Sequence, residues 1–227
     1  MPDAPALPPR STVVLSIDLQ NEYRAACIYP VEDYDRILAN ASAVIAAARA
    51  GGVPVIHVQA WVGEEDRQHY PLLEASLTDD LRSAVAGSDG AGICEEVAPL
   101  EGETVIRKRW PSAFHDTDLD ERLRRLGAEN IVTVGVWTDS CVRASVFDAV
   151  FRSYRVWLVK EACGSRTDAM HRTAMLDMAN RLYGGGVLRT GEALKALRGQ
   201  PHAAWRCSRP IEFPYTLATI DGLYDVL

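Results

Sequence analysis

Apolar runs of strand length alternate along this chain with longer amphipathic stretches, the pattern of an α/β fold with a largely parallel sheet. Residues 12–17 (TVVLSI) read as a buried strand that stops at Asp18. Residues 36–50 carry helical periodicity and end at Gly51-Gly52, a helix-to-strand break. Residues 53–58 (VPVIHV) form the next strand, 77–85 a short helix, and 103–106 a short strand leading into Lys108. In the second half the pattern predicts a helix over 118–126 closed by Gly127, a strand over 130–136 (NIVTVGV) and a helix over 140–151. A strand over 155–159 and helices over 168–182 and 191–197 follow. No repeat or low-complexity tract interrupts the series.

Three segments emerge. Residues 1–10 are Pro-rich without an apolar stretch and read as a flexible lead-in. Residues 11–198 hold the alternating elements and read as one domain. Residues 199–227 change character, with three of the twelve prolines and several aromatics, and read as an arm packing on its own domain or on a neighbouring subunit. A homodimer or homotetramer is the expected assembly.

Composition narrows the function classes. With 48% hydrophobic and 24% charged residues, the 227-residue chain is ordinary for a globular protein large enough to bury a sheet on both faces. Its formal net charge of -7 gives no electrostatic reason to expect nucleic acid or an anionic membrane as partner. The tightest basic cluster is Arg107-Lys108-Arg109, and no apolar run is long enough for a transmembrane helix. Five cysteines stand at 27, 94, 141, 163 and 207 with no CxxC pair, which points to neither a disulfide framework nor a zinc site and suggests a reducing cytoplasm.

In open α/β sheets ligands gather beyond the carboxyl ends of the strands. Asp18 ends the first strand, Lys108 follows the third and Cys141 follows the fourth. Taken singly, Asp18 reads as readily as a helix cap, Lys108 as a solvated lysine and Cys141 as an inert core thiol. Cys141, however, follows Thr138-Asp139-Ser140 at a helix start, where the dipole and a nearby lysine would lower its pKa. Cys94 and Cys163 lack that context, and Cys27 lies in a loop just after Asp18. No glycine-rich phosphate loop follows the first strand, which disfavours a dinucleotide-binding oxidoreductase.

Three blocks, in order, resemble the cysteine hydrolases of the isochorismatase-like superfamily. They are Ser16-Ile-Asp-Leu-Gln-Asn21, Lys108-Arg-Trp-Pro-Ser-Ala-Phe114 with Thr117-Asp-Leu119, and Gly135-Val-Trp-Thr-Asp-Ser-Cys-Val142 with Asp148-Ala149. Glu161-Ala-Cys163 and His171 are later echoes. The resemblance implies a three-layer α-β-α fold with a mostly parallel, Rossmann-like sheet. It implies Asp18 as general base, Lys108 as the cation that holds carboxylate and thiolate, and Cys141 as nucleophile toward a small amide or carbamoyl compound. It also implies an oxyanion hole from the backbone N–H groups of Trp137 and Cys141, beside a non-proline cis peptide at Val136–Trp137.

Two departures shape the reading. Nicotinamidases of this superfamily carry an Asp-x-His metal motif after the second strand; here Val58-Gln-Ala-Trp-Val-Gly-Glu-Glu-Asp-Arg-Gln-His69 stands instead. His69 with Glu65 and Asp66 could imitate ligands but reads as a polar loop, so neither a metal nor any other cofactor is expected. Isochorismatases proper lack the nucleophilic cysteine, so Cys141 favours amide hydrolysis. Trp137 stands where relatives usually carry a small residue, and with Trp61 and Trp110 it either walls the pocket or packs at core or interface. Gln20, Tyr23, Arg24 and Phe114 are the remaining candidate substrate contacts, Arg24 as a carboxylate partner. His57 and His171 read as structural. A cyclic-amide hydrolase and a non-catalytic interaction module on the same fold are the alternatives.

Overall fold

The computed structural model describes residues 4–63, 66 and 82–227. Its sheet has six strands in the order β3-β2-β1-β4-β5-β6. The strands are β1 (Thr12–Ile17), β2 (Val55–Ala60), β3 (Thr104–Lys108), β4 (Asn130–Val136), β5 (Arg155–Gly164) and β6 (Gly186–Leu188). Every pairing is parallel. The strand order reverses between β1 and β4, and that switch point opens a crevice at their carboxyl ends.

Strand periodicity separates two cores. In β1, Val14 faces one side, while Val13, Leu15 and Ile17 face the other. Helices α1 (Tyr34–Ala50) and α5 (Thr190–Leu197) cover the first face, through Leu38, Val44, Ala193 and Leu197 among others. Helices α2 (Leu119–Arg125), α3 (Arg143–Phe151), α4 (Asp168–Ala179) and α6 (Ile220–Val226) cover the second, through Leu123, Val146, Met175 and Tyr224. Burial on both faces explains why the inner strands are near-continuous apolar runs. The result is the three-layer arrangement expected.

Gly135 brings the two central strands together beneath the site. Its φ of +136° is open to glycine, and a Cβ built there would lie 2.1 Å from the carbonyl oxygen of Ile17.

Several elements differ from the sequence pattern. β5 runs on to Gly164, because its pairing with β4 slips between Thr133 and Gly135 and then resumes at Cys163 and Gly164. The charged pair Lys160-Glu161 occupies the slip and hides the continuation. The nucleophile segment begins with a π-helical turn, Thr138–Val142, before α3. Of the helix expected over 77–85, residues 77–81 lie outside the described residues, and 82–85 are not helical. The segment after residue 198 packs on its own chain: Trp205 exchanges backbone hydrogen bonds of 2.9 Å with Val187, and Leu227 is fully buried.

Candidate active site

Each strand end contributes one reactive side chain. Asp18 leaves β1 with φ +50°, a left-handed turn that aspartate tolerates better than most residues. Its N–H remains tied to the Val58 carbonyl at 2.9 Å. Lys108 is the last residue of β3, in register with Ala60 of β2. Cys141 sits in the π turn that follows β4. The peptide bond between Val136 and Trp137 is cis.

The three side chains meet. Lys108 Nζ lies 2.7 Å from Asp18 Oδ2 and donates to Cys141 Sγ at 3.3 Å. Asp18 and Lys108 are buried, whereas Cys141 as a residue is partly exposed. Asp18 Oδ1 is buried and accepts no hydrogen bond among the described residues.

The electrostatics correct one expectation. Burial pushes the Cys141 thiol up to about 12, the Asp18 charge adds to the rise, and the pull of Lys108 in the opposite direction does not overcome them. Desolvation is the largest of these influences, and the lysine does not offset it. Burial pulls the Lys108 ammonium down, but the charges of Asp18 and Cys141 outweigh it and the net shift is upward. The resting trio is an ammonium beside a neutral thiol that needs a base.

Neighbouring residues divide into those that face the trio and those committed elsewhere. Tyr23 meets Trp137 edge-on at 5.9 Å and Tyr34 at 6.3 Å. Burial and the nearby Asp18 raise its phenol well above the ordinary range. Trp61 donates its backbone N–H to the Lys108 carbonyl at 2.8 Å, and Arg107 stacks on its ring at 3.9 Å. Trp110 donates its indole N–H to Asp116 at 3.1 Å and stands edge-on to His115.

Three candidate substrate contacts have partners within the protein. Gln20 is fully buried: its amide donates to the carbonyls of Ala60 and Ala91 and accepts from the Ala60 N–H, so it holds loops together instead of facing a ligand. Arg24 is engaged by Glu96 through two contacts of 2.9 and 3.0 Å and by Asp35 at 3.4 Å. Phe114 is buried against Tyr154 under the Arg152 guanidinium, a packing position.

Other cysteines lack such partners. Cys94 is buried, touches the Tyr34 hydroxyl at 3.7 Å and is shifted upward by burial. Cys163 is buried and is likewise pushed up to about 12 by burial. His69 and Glu65 lie outside the described residues, while Asp66 pairs with Arg109 and accepts from the Gly63 N–H. Among the described residues no three His, Cys, Asp or Glu side chains are grouped to hold a metal. Nor is any described helix long and apolar enough to cross a membrane.

One supporting residue escaped the sequence reading. Ser145 donates to the Cys141 carbonyl at 2.7 Å and accepts from the Ala113 N–H at 2.9 Å, tying the nucleophile turn to the loop after Lys108. Its position four residues after Cys141 on a helix was the available signal.

Comparison with known proteins follows this geometry. Residues 12–192 match the Isochorismatase domain family. The chain is 31% identical over 157 residues to an uncharacterized isochorismatase family protein of Bacillus subtilis, covering 69% of this chain and 79% of that one. It is 36% identical over 118 residues to the maleamate amidohydrolase of Pseudomonas putida, covering 52% of this chain and 54% of that one. The solved N-carbamoylsarcosine amidase of Thermoplasma acidophilum superposes with a TM-score of 0.68 at 28% identity, covering 80% of this chain and 98% of that one.

Proposed function

The chain belongs to the isochorismatase family and is a hydrolase of its cysteine type acting on carbon–nitrogen bonds, and from that premise we propose that it hydrolyses a small linear amide or carbamoyl compound through a thioester on Cys141. The observation that carries this reading is Lys108 Nζ standing between the Asp18 carboxylate and the Cys141 thiol, at 2.7 and 3.3 Å.

The chemistry runs in two halves. Asp18 takes the thiol proton, which the upward-shifted Cys141 does not give up unaided. The thiolate attacks the carbonyl carbon, and the lysine ammonium stays close enough to stabilise the charge as it leaves the carboxylate for sulfur. The oxyanion is assigned to the backbone N–H groups of Trp137 and Cys141. As the C–N bond breaks, protonated Asp18 returns its proton to the departing nitrogen, and ammonia or an amine leaves. Water, deprotonated by the same carboxylate, then opens the thioester, releases the acid or carbamate and restores the thiol. No metal or organic cofactor enters these steps.

Tyr23 and the Trp137 indole supply an aromatic wall beside the nucleophile, which suits a compact substrate. Trp61 and Trp110 are assigned to the outer rim. A relative whose name is maleamate amidohydrolase, one named N-carbamoylsarcosine amidase and one named ureidoacrylate amidohydrolase define the first compounds to try.

An ammonia-release screen over maleamate, N-carbamoylsarcosine, ureidoacrylate and simple carbamoyl amino acids tests the proposal. Turnover of at least one, lost in Cys141→Ala and in Cys141→Ser, is the expected result. Equal turnover by wild type and both variants would overturn it.

A further inference from the structure

A buried chain of hydrogen bonds links the C-terminal helix to the nucleophile turn. Thr138 Oγ1 lies 2.8 Å from His171 Nδ1, and His171 Nε2 lies 2.9 Å from the Tyr224 hydroxyl. The three residues are 0, 6 and 9% exposed and come from the π turn, α4 and α6, elements distant in sequence. Thr138 opens the turn that carries Cys141. Tyr224 is itself fixed: its carbonyl accepts from the buried Lys160 ammonium at 2.7 Å, and the Lys160 and Arg172 cations lie over its ring at 4.1 and 4.6 Å.

The histidine is suited to pass an orientation through this chain. Burial pushes it down to about 4; Asp168 opposes that, while Arg172, Lys160 and Arg36 favour the neutral form. A neutral imidazole donates from one nitrogen and accepts at the other. The phenol is the more acidic partner, so it donates to Nε2, which leaves the proton on Nδ1 to donate to Thr138 Oγ1. The threonine hydroxyl then has one fixed acceptor role and one free proton. His171 and Tyr224 also line a cavity of about 280 Å³, whereas Thr138 at the other end of the chain is fully buried.

We propose that Tyr224, His171 and Thr138 form a positioning relay by which the C-terminal helix holds the Cys141 turn against Lys108 and Asp18. The inference rests on Cys141 being the nucleophile. It makes the segment after residue 198 part of the catalytic apparatus, through contacts and not through any group that touches substrate.

Alkylation of Cys141 by iodoacetamide, followed on its peptide by mass spectrometry, reads the relay without needing a substrate. Thr138→Val removes the hydroxyl at nearly constant shape, and the Cys141 alkylation rate rises roughly tenfold as the thiol leaves the buried position beside Asp18 that holds its pKa up. Thr138→Ser restores the hydroxyl and brings the rate back to within about threefold of wild type. Tyr224→Phe raises the rate in the same direction, and the Thr138→Val, Tyr224→Phe double variant changes it no more than the larger single variant, because both cut one chain. On the amide found by the ammonia screen, kcat falls with KM nearly unchanged. Additive changes in alkylation rate, no return toward wild type with Ser, or an unchanged alkylation rate in variants that fold would overturn the relay. Failure of the underlying reading is separate: it appears as turnover surviving Cys141→Ser.

Discussion

Two clusters at opposite ends of β3 each pair a cation with a carboxylate, and only one has the makings of a reactive site. At the amino end of β3, Glu103 receives Arg49 through two contacts of 2.8 Å, the Leu100 N–H at 2.8 Å and His57 at 3.0 Å. Those donors, the Arg49 side chain first, hold the Glu103 carboxyl down at about 2. At the carboxyl end of the same strand, Asp18 pairs with Lys108, and Lys108 is shared with a thiol. A carboxylate saturated with donors is a poor base, because each donor stabilises the charged form. Asp18 shares its cation with the thiol whose proton must be taken, the placement a general base requires. Both clusters contain an ion pair, but they differ in the number of donors and in burial, since Arg49 and Glu103 are part-buried and Lys108 and Asp18 are enclosed.

The largest change is expected from removing the shared cation. Lys108→Met leaves a buried carboxylate unpaired, and turnover should drop to background with a stability loss of about 3–5 kcal/mol in urea melts. Full activity in that variant would erase the distinction between the clusters. Asp18→Asn removes the base but keeps the shape, and kcat should fall by roughly 10²–10⁴-fold. Because the Asp18 charge raises the thiol, its loss should also lower the thiol pKa, so Cys141 alkylation becomes faster at a given pH even as turnover falls. Slower alkylation would contradict the assigned sign.

Glu103→Gln should leave kcat alone and cost on the order of 2–3 kcal/mol of stability near neutral pH. The folded carboxyl sits near 2 against an ordinary value of 4.5, so its contribution is present above about 4.5 and is lost as pH falls toward 2. Urea melts of wild type and variant should therefore converge as the pH is lowered through that window. Arg24→Ala should be the quietest change, with KM within about twofold of wild type, since its guanidinium is already held by Glu96 and Asp35. A large rise in KM would return Arg24 to the substrate.

Much of the frame was legible because burial on both faces writes itself into composition. The runs at 12–17 and 130–136 are strands with the expected bounds. The convergence of Asp18, Lys108 and Cys141 followed from strand ends alone, once the sheet was parallel. What stayed hidden has physical causes. β6 is three residues between glycine and arginine, too short for a period to show. α6 contains Gly222 and two aspartates, Asp221 and Asp225, which mask its helical face in isolation. The rise of the Cys141 pKa depends on burial around the thiol, which no linear pattern reports. Gln20 and Arg24 looked available for substrate because their partners, Ala60, Ala91 and Glu96, are remote in sequence.

The most direct test of the central claim is to trap the intermediate. The enzyme is mixed with the amide found by the ammonia screen, quenched in acid within one turnover, and digested for peptide mass analysis. An acyl or carbamoyl adduct on the peptide holding Cys141, absent in Cys141→Ala and accumulating before ammonia release becomes steady, is the result predicted. An adduct on Cys94 or Cys163 with Cys141 unmodified would contradict it.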